Sequence, residues 1–141
     1  MELQVGPFDP ALHVGSRDHY EAVRREAQLL DLRPDTPPHR YKNLLDRLRR
    51  EFPTGPVDPI VDQAYLAGEP TFTARVQVPD ELVAAALDAC DELERLLDDL
   101  DSWARDSDLA ILEASPEVRA YRAAYLAQVR AQLRRALPAA S

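Results

Sequence analysis

Acidic side chains crowd one stretch of the sequence, residues 88–101. Asp91, Glu94 and Asp98 are spaced three and four residues apart, which places them on adjacent turns of one helix face. Neighbouring carboxylates can bind a divalent cation, but these lie opposite the apolar seam of the same predicted helix, where water solvates them. We therefore predict a solvated face and no metal ligands. The functional alternative is a surface on which Asp91, Glu94, Asp98 and Asp101 dock a basic protein partner.

Basic side chains concentrate in a second stretch, residues 40–50, which contains five bases and a single acid. That charge is typical of a helix that recognises nucleic acid, but leucines occupy its inner face and no helix-turn-helix spacing surrounds it. A solvated basic face is the first interpretation. The functional interpretation assigns Arg40, Arg47 and Arg50 to an acidic protein partner, or to the chain's own acidic helix, rather than to nucleic acid.

The sequence contains no recognisable arrangement of nucleophile, base or cofactor-binding loop. The three histidines, His13, His19 and His39, lack a second ligand at metal-like spacing, so we expect them at surface or capping positions. Cys90 falls on the apolar seam and is expected to be an inert core thiol. The four glycines are too far apart to form a phosphate-binding loop. We therefore predict no catalytic residues, no cofactor and a protein that is not an enzyme.

The sequence is also consistent with a second class of function. Aromatic side chains could line a pocket between helices, which would suit a small enzyme or a ligand-binding domain. The residues that would line it are Tyr41, Tyr65, Trp103, Tyr121 and Tyr125. The surface discriminates between the two classes, because an adaptor presents exposed patches whereas an enzyme presents a deep pocket with converging titratable groups.

Length and composition favour a single domain spanning residues 1–141. The chain has 141 residues, of which 45% are apolar and 30% charged, so it can bury a core. The net charge of −8 argues against a nucleic-acid-binding surface, and a single cysteine excludes an intrachain disulfide. No apolar run could span a membrane and no secretory signal pattern is present. We therefore expect a cytoplasmic protein without membrane partners.

Proline divides the chain into two halves that must fold differently. Ten of the twelve prolines lie within residues 1–79, which predicts short elements there, while residues 80–137 can form a long helical hairpin. Apolar periodicity predicts helices over residues 17–31, 37–52, 59–67, 81–105 and 116–137. Ser16 is expected to cap the first helix, and Gly6-Pro7 to end a first strand. Alternation over residues 71–78 predicts a second strand, which pairs antiparallel with residues 2–6.

The predicted fold class is therefore mainly α with minor β, a helical bundle that carries one two-stranded ribbon. An acidic helix followed by an arginine-rich one favours an antiparallel hairpin. Its interior is expected to hold Val83, Leu93, Leu97, Tyr121, Tyr125 and Val129. Because a two-stranded ribbon is marginal alone, it must pack on the helices or extend across a homodimer.

Two stretches of the sequence carry a family resemblance. One is residues 14–20 (VGSRDHY), which lead into residues 24–26 (RRE); the other is residues 108–112 (DLAIL), followed by residues 115–118 (SPEV) and 121–126 (YRAAYL). Together they resemble a group of small uncharacterised actinobacterial proteins found with anti-sigma-factor kinases and their antagonists. The resemblance implies a regulatory partner in a partner-switching system and supplies no active-site residues. The expected function is a non-enzymatic regulatory or adaptor protein that acts through protein–protein contacts in bacterial signalling or transcription regulation.

Overall fold

The computed structural model describes residues 1–29, 35–52, 57–107, 109 and 113–137. In chain order its elements are β1 (Glu2–Phe8), α1 (Pro10–Leu29), α2 (Pro37–Glu51), α3 (Val57–Leu66), β2 (Phe72–Gln77), a 3-10 turn (Asp80–Leu82), α4 (Val83–Asp106) and α5 (Pro116–Ala136). The two strands pair antiparallel in one sheet. The predicted fold class, mainly α with minor β, is confirmed. None of the described helices combines the length and the apolar character that crossing a membrane requires.

The first helix begins at Pro10 rather than at residue 17. The carboxylate of Asp9 accepts a hydrogen bond from the backbone N–H of Ala11 at 2.8 Å, and Pro10 occupies the first helical position. Ser16, the predicted cap, is buried inside the helix. The prediction for Ser16 is wrong because this aspartate-proline start signal lies upstream of it. Residues 30 and 31 of the predicted helix, and residues 108 and 110–112 of the family resemblance, lie outside the described residues.

Strand β1 continues through Gly6-Pro7 instead of ending there, so that prediction is also wrong. A bulge interrupts the regular pairing between Val5 and Phe8. Gly6 has a φ of +107°, and a Cβ at this position would collide with the carbonyl oxygen of Phe72. Only glycine fits this bulge, and the bulge carries the strand past the proline.

Period-two burial in both strands places one face of the sheet on the core. Along β2, exposed and buried residues alternate strictly, as the sequence pattern predicts. The buried face packs against α3, the start of α4 and the end of α5. This first core cluster consists of Leu3, Val5, Val57, Val61, Phe72, Ala74, Val76, Val83 and Leu133.

A second core cluster joins α1, α2 and the C-terminal half of α4. Its buried members are Val23, Tyr41, Leu44, Leu96, Leu97, Leu100 and Ala104. Period-3.6 spacing of these residues gives each helix one apolar stripe, and the three stripes meet. This packing holds α2 alongside α4, which positions the polar side chains on the outer faces of both helices.

Helices α4 and α5 run antiparallel, and their ion pairs show the direction. Asp91 of α4 pairs with Arg130 of α5, whereas Asp98, further along α4, pairs with Arg122, earlier in α5. Of the residues expected inside the hairpin, Val83, Leu97 and Tyr121 are buried, and Leu93, Tyr125 and Val129 are half-buried. At the turn, the hydroxyl of Ser115 caps α5 by accepting the backbone N–H of Val118 at 3.2 Å.

Candidate functional site

A groove runs along the outer side of the contact between α2 and α4. Tyr41 and Leu44 turn one face of α2 towards the core. On the other side of the helix, residues between 40 and 50 that are spaced three and four positions apart face solvent. The groove has a volume of about 500 Å³. It is lined by Arg40, Asn43, Leu44, Arg47, Arg50, Glu92, Arg95, Leu96 and Asp99.

Positive charge is in excess in this groove, because four guanidinium groups face two carboxylates. Arg47 lies 2.6 Å from the carboxylate of Glu92, and this hydrogen bond raises the pKa of the guanidinium. Arg40, Arg50 and Arg95 form no ion pair within the described part of the chain. All three are exposed. Their charges are therefore available to a ligand.

Guanidinium groups of this kind bind oxyanions. Each presents several N–H donors in a planar fork that matches a carboxylate or phosphate with two parallel hydrogen bonds. The amide of Asn43 adds a neutral donor and acceptor at the same wall. The described lining contains no histidine, cysteine or hydroxyl side chain. The arrangement can therefore hold an anionic group.

Three of the four arginines were foreseen from the sequence. Arg40, Arg47 and Arg50 come together in one groove, and Arg47 reaches the chain's own acidic helix, as one of the predicted alternatives has it. Arg95 was missed because it stands inside the acidic run of α4. Its spacing of three and four residues from Glu92 and Asp99 was the available signal, since it places all three on one stripe.

The acidic face predicted to dock a basic partner is only partly neutralised within the chain, because two guanidinium groups face its four carboxylates. Asp91 and Glu94 lie 2.9 Å and 2.5 Å from the guanidinium of Arg130, and Asp98 lies 3.0 Å from that of Arg122. The two arginines weaken the field of this stripe, but an excess of negative charge remains. Docking at Asp91, Glu94 and Asp98 stays a prediction.

Asp101 does not belong to that surface, and its assignment is corrected. Its carboxylate is buried, with 5% of the side chain exposed. It accepts the backbone N–H of Ala114 at 2.9 Å and lies 2.8 Å from the guanidinium of Arg122. Asp101 therefore joins the end of α4 to the start of α5 instead of facing a partner. Among the described residues, no group of three or more acidic, histidine or cysteine side chains is placed to hold a metal ion.

His13 is half-buried and fully hydrogen-bonded, not at a surface or capping position as predicted. Its Nδ1 lies 2.6 Å from the hydroxyl of Tyr121, and its Nε2 lies 3.2 Å from the carboxylate of Asp58. Burial lowers the pKa of His13, although Asp58 opposes this effect. The neutral ring therefore accepts from Tyr121 and donates to Asp58. The prediction fails because α1 begins before His13 and turns the ring towards α3 and α5.

The five aromatic residues of the alternative hypothesis do not line one pocket. Tyr41 is buried in the second core cluster and Trp103 packs against it. Tyr121 and Tyr125 lie at the other end of the bundle, beside His13. Tyr65 is 49% exposed at the end of α3. The predicted aromatic pocket is therefore wrong, because helix packing divides its residues between two clusters and the surface.

Cys90 is half-buried in the first core cluster. Burial raises the pKa of its thiol, and Arg130 nearby only partly opposes this effect. The thiol therefore stays protonated at neutral pH, where a nucleophilic cysteine would need to be a thiolate.

Comparisons of the chain with protein-family models, with curated proteins and with solved structures find no match.

Proposed function

We propose that the protein is a non-enzymatic regulatory adaptor that binds an acidic segment of a partner protein in the groove between α2 and α4. The observation that carries the proposal is the cluster of Arg40, Arg50 and Arg95, three guanidinium groups without an ion pair in the described part of the chain. The proposal places the protein in the cytoplasm, in bacterial signalling or transcription regulation, and includes a homodimer.

The contrast between the groove and the rest of the chain supports a selective protein partner. The chain as a whole has a net charge of −8, so it repels an acidic partner in most orientations. Attraction is confined to the orientation in which the acidic segment reaches the groove. Such a field fixes the register of binding and raises the association rate at low salt.

The same contrast favours a protein over nucleic acid. A nucleic acid carries charge along its whole length, and a duplex carries one charge per about 1.7 Å. Beyond the groove, such a ligand would run along a chain with a net charge of −8. Within the groove it would also meet the carboxylates of Glu92 and Asp99. A short acidic segment of a protein avoids both penalties.

The test replaces the three unpaired arginines together, as Arg40→Gln, Arg50→Gln and Arg95→Gln. No ion pair within the described residues is lost, so the unfolding free energy should change by less than about 1 kcal/mol. A matched control replaces three other exposed arginines, as Arg25→Gln, Arg134→Gln and Arg135→Gln, which removes the same net charge. The wild-type chain first captures its partner from the native host, and the purified pair is then measured by stopped flow and calorimetry.

The groove variant should bind the partner at least about tenfold more weakly, as expected when charge-assisted hydrogen bonds are lost, and its association rate should lose most of its salt dependence. The control should keep both the affinity and the salt dependence of the wild type. If groove and control variants bind alike, the groove is not the docking site. If the captured partner is a nucleic acid, the adaptor proposal is wrong.

A further inference from the structure

The two outer edges of the sheet differ in how their backbone groups are satisfied. Along β1, the backbone N–H groups of Gln4 and Gly6 donate to the side-chain amide oxygens of Gln132 and Gln128 at 2.8 Å and 2.9 Å. The amide nitrogens of the same two glutamines donate back to the carbonyl oxygens of Gln4 and Gly6, each at 2.7 Å. Helix α5 therefore covers the edge of β1 much as a further strand would.

The outer edge of β2 has no such cover. The backbone N–H and carbonyl groups of Gln4 and Gly6 point towards α5. The backbone groups of Leu3 and Val5 must therefore point towards β2, where these residues pair with Val76 and Ala74. The backbone groups of Thr73, Arg75 and Gln77 consequently point away from β1. None of these N–H or carbonyl groups has a hydrogen-bond partner within the part of the chain that the structure describes.

This open edge lacks two of the common protections against pairing. Protected edges often contain proline or lysine. Strand β2 contains no proline or lysine, and its one charged residue, Arg75, lies 2.6 Å from the carboxylate of Glu2 on the neighbouring strand. Helix α3, which packs on β2, ends in two exposed apolar side chains, Tyr65 at 49% and Leu66 at 85% exposure.

We propose that β2 pairs antiparallel with β2 of a second copy of this chain, which extends the two-stranded sheet to four strands. The edge is self-complementary: a two-fold axis at Ala74 sets Thr73 opposite Arg75 of the second copy, so the two arginines do not face each other. Each arginine keeps its own Glu2 as counter-ion. The proposal names the surface of the homodimer included in the proposed function and does not depend on the groove.

A second copy fits this edge better than a free peptide for two reasons. Because the edge is self-complementary, pairing of two copies satisfies the open backbone groups of both copies at once. Two copies also bring two sets of Tyr65 and Leu66 to the assembly, whereas a peptide would rely on backbone hydrogen bonds alone.

The test uses the full chain and the variant Arg75→Pro. The N–H of Arg75 points out of the sheet, so proline removes a donor at the edge without breaking a hydrogen bond between β1 and β2. The matched control, Arg75→Ala, loses the side chain and its ion pair but keeps the N–H. Sedimentation equilibrium measures the dimer dissociation constant of all three proteins. Hydrogen exchange of the wild type measures protection of the Thr73, Arg75 and Gln77 amides across a range of protein concentrations.

The wild type should be a dimer, and Arg75→Pro should raise its dissociation constant at least about tenfold, because one hydrogen bond is lost from each copy. Arg75→Ala should stay within about twofold of the wild type, as expected for an exposed ion pair. The three amides should become protected as concentration rises. A monomeric wild type with no concentration-dependent protection would overturn both the edge pairing and the homodimer. A dimer that forms equally well with Arg75→Pro would overturn only the edge pairing. Hydrogen exchange of the wild-type amides tests the edge pairing even if the proline variant does not fold.

Discussion

The contact between Asp101 and Arg122 should be the most sensitive polar interaction in the hairpin. Both side chains are nearly inaccessible, at 5% for Asp101 and 11% for Arg122. Burial opposes the charge of Arg122, but a hydrogen bond to Tyr20 and the negative charge of Asp101 raise its pKa overall. Removing the carboxylate therefore leaves a buried guanidinium with a lost partner and the N–H of Ala114 without its acceptor.

We expect Asp101→Ala to lower the free energy of unfolding by about 3–5 kcal/mol, the usual cost of breaking a buried ion pair. Asp101→Asn keeps an acceptor for Ala114 and loses only the charge, so its cost should be smaller, about 1–3 kcal/mol. Asp99→Ala is the matched control, because Asp99 stands on the same helix and is exposed. Its unfolding free energy should change by no more than about 0.5 kcal/mol.

Urea unfolding at pH 7, followed by circular dichroism, measures these differences. Arg122→Met in the Asp101→Ala background should recover part of the loss, because the remaining counter-ion of Arg122 is the exposed Asp98, which compensates its charge only weakly. The reasoning is refuted if Asp101→Ala and Asp99→Ala are equally stable. It is also refuted if the double variant is no more stable than Asp101→Ala alone, since the cost would then not come from the buried charge.

Two further changes test the core and the histidine. Leu97→Ala should lower the unfolding free energy by about 2–5 kcal/mol, because Leu97 is 4% exposed, whereas Leu29→Ala, at 76% exposure, should have little effect in the same urea titration. Burial holds the pKa of His13 below 6.5, with Asp58 and Asp62 opposing this effect and Arg17 reinforcing it, so the folded state binds fewer protons than the unfolded chain. The stability that neutral His13 contributes is therefore complete above pH 6.5 and is lost as the pH falls from 6.5 towards the lower pKa of the folded state. The free energy of unfolding of His13→Gln should consequently fall less than that of the wild type between pH 7.5 and 5.5. An equal fall in both proteins would show that His13 does not titrate in this window.

The sequence pattern predicted the helices and strands well where one face of an element is buried. Period two over residues 71–78 gave β2, because its side chains alternate between core and solvent. The start of α1 was missed, since the signal at Asp9-Pro10 precedes a weakly periodic stretch and Ser16 offered a stronger local cap. Local patterns rank such alternatives poorly, because Asp9-Pro10 and Ser16 are both acceptable start signals for a helix.

The candidate site was predictable only in part, because it is shared by two helices. Arg40, Arg47 and Arg50 lie on one helix, so their spacing was enough to group them. Arg95 comes from α4, and the pattern of neither segment predicts that α2 packs beside the stripe of α4 that contains Arg95. The burial of Asp101 did have a local signal: it stands four residues after Leu97 and three before Ala104, on the apolar stripe itself.

The position of Arg95 explains why the groove is positive although α4 is the most acidic part of the chain. Residues 80–113 carry twelve acids and two bases, and two arginines of α5 partly neutralise the stripe of α4 that faces α5. The stripe that faces α2 holds Glu92 and Asp99, with Arg95 between them. Glu92 pairs with Arg47, whereas Arg95 forms no ion pair within the described residues. Had an acid stood at position 95, as at most charged positions of this helix, the carboxylates of α4 would balance the arginines of α2 within the chain. With Arg95 in place, the internal pairing stops short of neutrality, and the remaining positive charge is what the proposed acidic partner would meet.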